Sequence, residues 1–497
     1  MLLEIHILQN HAPSNLNRDD TGSPKSCEFG GVPRARISSQ CLKHRIRASD
    51  LFKKAIIEAG EKLGIRTREL PELVKEKLVE KGIPEEEIKA AMKILVAIGK
   101  KEKKDEKGEE TPSDDDTDED EGEDEDENQD EGSEKSTSDE PEIDVTKRVK
   151  TKQMMFFSDD DIKAVTEIIA KEIKGKTAEN ILDKNANKRN NQLKRIQLEI
   201  RGQSAGITVD IALFGRMITS VAFRNVDAAI QVAHAISTNE MAHEFDFYTA
   251  VDDRSLERSA LARQGNESKD EDVEESIEED IGAGMMGDVE FTSACFYKYF
   301  SIDTDAFVMN LAGGTSNSKK TIAENLLPHV IKAFLNAAVL VSPTGKQNSF
   351  AAHQLPDAIL IEAKNHKIPV SYANAFVKPC KPSHKQDLVA ASIEALAAHA
   401  KTITEAYGLE ALHRFWFSPR GIPNAWPKST SSGNEPDDGV KQPVKEKSKV
   451  TKVAPPTAGN GDTAIKKPFN VTECKTFQAL IECVEKLFLS KNEGTKG

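Results

Sequence analysis

Alternation opens the chain. Leu3, Ile5 and Ile7 interleave with Glu4 and His6, the period of a β-strand. A polar stretch with Pro13, Asn17, Arg18, Asp19, Asp20, Gly22 and Pro24 predicts a long loop. Arg34-Ala35-Arg36-Ile37 reads as a basic strand, and Ser38-Ser39 as N-caps of a helix over 40–47. From Asp50 the spacing turns helical, with Leu51, Phe52, Ala55, Ile56, Ala59 and Leu63 on one stripe. Similar stripes cover 70–78 and 85–98, with Pro84 at a helix start, and return after Ser158 through Ile162, Val165, Ile168 and Ile169. Residues 209–217 alternate as a strand, 226–236 read as a helix, and 245–251 with 289–302 predict a long hairpin. A helix over 321–339, short strands near 347–353 and 357–363, and a helix over 386–407 follow. The last element, 470–489, is amphipathic through Phe477, Leu480, Ile481, Val484, Leu487 and Phe488, with Thr476 near its cap. Such a stripe is expected to dock on the body or on a partner. Strands and helices mixed without regular βαβ spacing predict an α+β fold.

Charge changes this picture. The 497 residues carry a formal charge of −15, but residues 105–144 hold 23 Asp/Glu against two Lys. The remaining chain is therefore basic by six charges. The acidic tract lacks apolar residues to offset its ordering entropy and is expected to be disordered. Residues 264–280 form a second acidic insertion, and 428–468, rich in Ser, Pro, Lys and Gly, a linker. No apolar run approaches a membrane span, and the N-terminus has no secretory pattern. Six cysteines without metal-knuckle or CxxC spacing fit a reducing compartment, so a cytoplasmic location is expected.

Enzyme signatures are scarce. No GxSxG or HExxH occurs, and Gly313-Gly314 through Thr321 lacks the glycine that a phosphate loop places before its lysine. Asp19-Asp20 and Asp252-Asp253 are adjacent acids of the kind that solvate or cap loops more often than they bind Mg²⁺. No catalytic residue, metal ligand or cofactor is expected. The basic span is more informative. Arg18, Arg34, Arg36, Lys43, Arg45 and Arg47 lie among serines and a glutamine, a set suited to gripping phosphates. A second element, Phe214-Gly215-Arg216-Met217, combines a residue that permits close backbone approach, a cation and a flexible apolar wedge.

These segments resemble the CasC family, the backbone subunit of the type I-E CRISPR Cascade complex. The likeness is carried by Ile5-His6-Ile7-Leu8, Leu16-Asn17-Arg18-Asp19-Asp20, Phe29-Gly30-Gly31 and Arg36-Ile37-Ser38-Ser39-Gln40 with Leu42-Lys43. It continues in order through Val209-Asp210-Ile211-Ala212-Leu213 with Gly215-Arg216-Met217, Ala233-His234-Ala235-Ile236, Thr249-Ala250-Val251-Asp252-Asp253, Lys346-Gln347 and Ala373-Asn374-Ala375-Phe376. The resemblance implies an RRM-like (ferredoxin-like) palm from 1–48 and 202–426. It also implies inserted helical fingers over 50–201, containing the acidic tract, and a thumb hairpin over 239–293. Copies would stack as a helical filament along one CRISPR guide RNA, with other Cascade subunits, and present its bases to target DNA. Guide contact then falls to Arg18, Arg36, Ser38, Gln40, Lys43, Arg47, Arg216, Lys346 and Gln347, with Met217 as a wedge. Lys184, Lys188, Lys194 and Arg195 would face target DNA.

Backbone contacts bind any spacer, leaving sequence reading to base pairing. Two alternatives remain open: a metal-dependent RNA-cleaving backbone subunit of type III kind, using Asp19 or Asp20, and a generic single-stranded RNA binder.

Overall fold

The computed structural model describes residues 1–98, 148–151, 154–203, 206–218, 220–250, 254, 285–313, 317–426 and 469–493. The acidic tract 105–144, the insertion 264–280 and the linker 428–468 lie outside the described residues. In chain order the first elements are β1 (Leu2–Ser14), β2 (Ser26–Phe29), β3 (Val32–Ile37), α1 (Ser39–Ala48), α2 (Asp50–Glu58) and β4 (Ile65–Thr67). Next come α3 (Leu70–Glu80), α4 (Glu85–Ile98), β5 (Met155–Phe157), α5 (Asp159–Ile173), α6 (Ala186–Gln203) and α7 (Val209–Phe214). Then follow β6 (Ile230–Val232), β7 (Ala235–Ser237), β8 (Glu244–Ala250), β9 (Met285–Asp303), α8 (Thr304–Ala312), α9 (Asn317–Leu340) and the single turn α10 (Gln347–Phe350). The chain closes with β10 (Ala358–Lys364), a 3₁₀ turn (Ala373–Phe376), α11 (Leu388–Tyr407), β11 (His413–Phe417), β12 (Thr472–Glu473) and α12 (Phe477–Glu493).

One large mixed sheet organises these elements, in the order β12-β11-β10-β1-β9-β7-β3-β2, with β6 and β8 also on β9. β1 lies antiparallel between β10 and β9, with Ile5 opposite both Ile361 and Phe300. Directly opposed residues share a face. Leu3, Ile5 and Ile7 therefore join Ile359, Ile361, Phe300 and Ile302 in one apolar layer, covered by α2, α7, α8, α9 and α12. The opposite face puts Leu8, Tyr297, Leu360 and Trp416 under α11. A separate apolar cluster joins α3, α4, α5 and α6 with β5. α2, expected in the inserted helical segment, packs against α9 on the sheet core instead. The terminal stripe docks inward: Leu480 and Val484 are fully buried in the sheet core. Among the described residues, no helix is long and apolar enough to cross a membrane.

Three local expectations are corrected. Residues 209–214 form α7 rather than a strand. Val209, Ala212 and Leu213 also satisfy helical spacing, and the segment ends at Gly215 with φ +82°. The 226–236 segment is extended, as β6 and β7 pair with β9 and override local helical spacing. The 347–353 strand is α10, bracketed by Lys346 and Ala351 in left-handed conformations.

The alternation in β1 does not expose its polar face. Glu4, His6, Glu362 and Lys364 are sealed beside Arg414. Glu4 pairs with Lys364, which also lies 3.4 Å from Glu362. Arg414 Nε donates to Glu362 Oε1 at 2.6 Å, Tyr372 Oη to Glu362 Oε2 at 2.7 Å, and Tyr299 Oη to Glu4 Oε1 at 2.5 Å. Two carboxylates thus face two cations. Burial raises the Glu362 pKa, but nearby His6, Lys364 and Arg414 outweigh it and hold the carboxyl far below the ordinary range. Its stabilisation is present above the unfolded carboxylate pKa of about 4.3 and is lost as pH falls below that value. Glu362→Gln is expected to flatten the acid limb of a stability–pH curve while lowering stability at neutral pH by about 3 kcal/mol, measured by urea unfolding. An unchanged acid limb would contradict the assignment.

Candidate nucleic-acid interface

The site is built around the start of α1. β3 delivers the chain to Ser38, whose extended backbone and side chain cap the helix, with Oγ accepting from the Cys41 N–H at 3.2 Å. The Ser38 N–H donates to Asn17 Oδ1 at 2.8 Å, and the Ser39 N–H to His234 Nδ1 at 3.2 Å. The first loop, α1 and the β6–β7 turn are thereby joined. No acidic residue occupies the first turn of α1, so its positive dipole end is not neutralised from within the helix. Leu42 and Ile46 are buried, whereas Gln40, Lys43 and Arg47 follow i, i+3, i+7 spacing and are half-buried. Among the described residues Lys43 makes no hydrogen bond or ion pair. Arg45 turns the other way, its Nε donating to the Ser342 carbonyl at 3.4 Å.

The loop between β1 and β2 is held by its own polar groups. Asp19 Oδ1 accepts from the N–H of Thr21 and of Ser23, each at 3.0 Å, and from the Thr21 hydroxyl at 2.7 Å. The Thr21 hydroxyl first, with the Ser23 and Thr21 amides, lowers the Asp19 pKa below its ordinary value. Half-buried Arg18 forms a backbone bridge with Pro24 across the same loop. Arg36, also half-buried, reaches Ser26 O at 3.3 Å and His234 Nδ1 at 3.4 Å. The turn carrying Lys346 and Gln347 packs here too. A Cβ on Gly345 would lie 2.5 Å from the carbonyl oxygens of both Asn15 and Leu16, so the loops approach too closely for a side chain. Gln347 Nε2 donates to Pro343 O at 2.9 Å and fixes that turn.

Arg34 and Arg216, two cations of the expected basic surface, are interior. Arg34 is fully buried and donates to the carbonyls of Phe29, Ser237, Thr238, Phe376 and Val377, binding the β2–β3 hairpin to the sheet. Arg216 is 5% exposed, and its guanidinium donates to Asp161 Oδ2 at 2.7 Å and to Phe156 O at 3.3 Å. Asp161 neutralises it, which corrects the expectation of a free phosphate clamp. Met217, next along, is 81% exposed. The Arg47 guanidinium lies 5.0 Å from the Phe156 ring centre, so Phe156 brings the end of α1 and the Gly215–Met217 turn together. Lys184, Lys188, Lys194 and Arg195 stand exposed on α6 and the turn before it, and Arg195 pairs with Glu172 at 2.8 Å.

The hairpin of β8 and β9 carries residues that were not singled out from sequence. Phe245 and Phe247 are 64% and 67% exposed, and the register puts them on one face with Glu290, Asp288 and Met286. The signal was present: an aromatic pair at strand period, bracketed by acids, does not suit a buried face. The hairpin base meets the first loop through Asn15 Nδ2, which donates to Glu290 O and Gly22 O at 3.0 Å each, while Glu290 contacts His243. Among the described residues, no group of three or more metal-ligating side chains is placed to hold a metal ion.

A sheet with an attached helical cluster and a protruding hairpin defines the class, and sequence comparison supplies the family. The family model described as "CT1975-like protein" matches residues 3–263 and 270–435. The chain belongs to this family of CasC-type Cascade backbone proteins. Among solved structures, a chain of a "CRISPR RNA-guided surveillance complex, pre-nicking" aligns with a TM-score of 0.59 at 22% identity, covering 98% of this chain and 100% of that one. A chain of a "CRISPR RNA-guided surveillance complex" aligns with a TM-score of 0.52 at 18% identity, covering 86% and 94%. Both share the fold. No curated protein matches in sequence.

Replacing Arg216 by Met leaves Asp161 buried without its cation. We expect a loss of about 3–5 kcal/mol in stability, measured by chemical unfolding. A folded variant of unchanged stability would show that the pair does not hold the turn.

Proposed function

We propose that this chain is a guide-RNA-binding backbone subunit of a type I-E Cascade surveillance complex. Copies assemble along one CRISPR RNA and offer its bases to target DNA. In this reading the large sheet is the palm, the α3–α6 cluster the fingers and the β8–β9 hairpin the thumb of a hand-like subunit. The observation that carries it is the face of α1. Gln40, Lys43 and Arg47 project from a helix whose first turn holds no acid and whose start is tied to Asn17 and His234. Hydroxyls, a glutamine amide and cations at a helix N-terminus grip a ribose-phosphate strand without reading its letters. Arg18, Arg36, Lys346 and Gln347 flank that face through the joined loops, and Met217 with the Phe245–Phe247 face supplies exposed apolar surface for unstacked bases. Arg216 enters as the support beneath Met217 rather than as a contact.

The reading is non-catalytic. Asp19, one of the two acids a cleaving subunit would use, spends one carboxylate oxygen on three hydrogen bonds that shape its loop. The likeness to chains of CRISPR RNA-guided surveillance complexes supports the same assignment over a generic strand binder. Lys184, Lys188, Lys194 and Arg195 are proposed to meet target DNA.

Replacing Lys43 by Ala is expected to weaken guide binding equally for unrelated spacers and to flatten the log–log salt dependence by roughly 0.7–1 unit, measured by fluorescence anisotropy. Spacer-dependent loss would contradict the backbone-contact role. Incubation of the assembled complex with target RNA and Mg²⁺ is expected to give no cleavage. Cleavage that disappears in an Asp19→Ala, Asp20→Ala variant would establish the type III alternative.

A further inference from the structure

Arg34 is buried in the sheet without a carboxylate, but five backbone carbonyls meet its guanidinium; a second buried cation has fewer acceptors. Lys298, on β9 opposite Ile7, faces the side of the sheet that carries Gln9 and His11, and it is 1% exposed. Its ammonium donates to Gln9 Oε1 at 2.5 Å. Among the described residues no carboxylate pairs with it. β1 offers Ile7, the Gln9 amide and the His11 imidazole. Burial and then the Lys298 charge lower the His11 pKa to about 4, so His11 is neutral at pH 7 and supplies no anion. The loop after α10 offers the Gln354 carbonyl, bonded to Gln9 Nε2, and His353 near His11. α1 offers the Cys41 thiol, which interacts with Lys298.

Surplus polar capacity collects around this lysine. His11 faces the Ala352 backbone and the Gln354 side chain, while Gln347 Oε1 finds no hydrogen-bond partner among the described residues. A buried ammonium without an anion is costly and is normally paired or neutralised. Here it lies near Cys41, in the first turn of α1, and its partner Gln9 bonds the Gln354 carbonyl in the loop that follows the turn carrying Lys346 and Gln347. These are the two segments to which guide contact was assigned.

We propose that Lys298 is a buried positioning cation whose counter-charge is an RNA phosphate seated at the first turn of α1, so that guide binding and protonation of Lys298 are coupled. The inference rests on the reading of this face as the guide-binding surface and adds a residue that never touches the strand. Burial lowers the Lys298 pKa to about 8 in the free protein. An incoming phosphate raises it again. Below pH 8 the lysine is already protonated and binding moves no proton. Between the free and bound values binding takes protons up, and affinity declines as pH rises through that window.

The test is titration calorimetry of the full chain with single-stranded RNA, at pH 7 and pH 9, in buffers of different ionisation enthalpy. Wild type is expected to take up close to no proton at pH 7 and a substantial fraction of one per bound protomer at pH 9. Lys298→Met is expected to lose that uptake and about tenfold in affinity at pH 7. Its melting temperature should not fall, since an unpaired buried charge has been removed. Lys298→Arg, charged at every pH used, should bind without uptake. Cys41→Ser should keep the wild-type uptake. Uptake that persists in either lysine variant, or that vanishes in Cys41→Ser, overturns the proposal while leaving guide binding intact. Wild type that binds no RNA at either pH overturns both readings.

Discussion

A charge sealed inside a protein needs its opposite close by, and the central sheet is arranged around that constraint. Its two faces answer it differently. Under α11, Glu4 and Glu362 meet Lys364 and Arg414, and two tyrosines, Tyr299 and Tyr372, donate to the carboxylate oxygens. That layer closes electrically within the chain. Such a network is weak as a source of stability, since apolar packing of similar volume often does as well. It is strong as a register lock. A one-residue slip of β1 would carry Glu4 and His6 into the apolar layer of Ile361 and Phe300, so the ions fix the strand from which the first loop and α1 are hung. The opposite face is apolar as far as Ile7 and becomes polar at Gln9, Lys298 and His11, near Cys41 of α1. Within the sheet Arg34 is met by five carbonyls, whereas Lys298, without a carboxylate among the described residues, lies on the face where the chain is proposed to meet RNA.

Much of this was legible because local patterns agreed with tertiary demands. The Ser38 cap, the apolar stripe of α2, the hairpin strands and the terminal amphipathic helix all follow from spacing that the fold then uses. The failures share a cause. In 209–214 two periodicities coexist, and a sequence window contains nothing to choose between them. In 226–236 pairing with β9 decides, and β9 lies more than fifty residues away. Arg34 and Arg216 were indistinguishable from surface cations, because a guanidinium is buried by carbonyls and a carboxylate that sequence does not place nearby. Asp161 is fifty-five positions from the arginine it neutralises. The face of Gln40, Lys43 and Arg47 was readable as a cluster. That Asn17 and His234 hold it in place was not, since hydrogen bonds between distant loops leave no period.

The same geometry suits the spacer-indifferent grip proposed for this scaffold. A surface that reads bases must place side chains against base edges, and each changed letter alters the fit. A surface that reads phosphates needs only fixed donors at a constant spacing, which is a demand on rigidity. Here rigidity comes from backbone amides that donate across loops: Ser38 to Asn17, Ser39 to His234, and Thr21 and Ser23 to Asp19. Asp19 Oδ1 is engaged in this way by three donors. The shape of the first loop therefore rests on one oxygen of this carboxylate. A backbone subunit that holds its loop with Asp19 gains a fixed donor array, which suits the proposed reading in which target recognition is left to the paired strands.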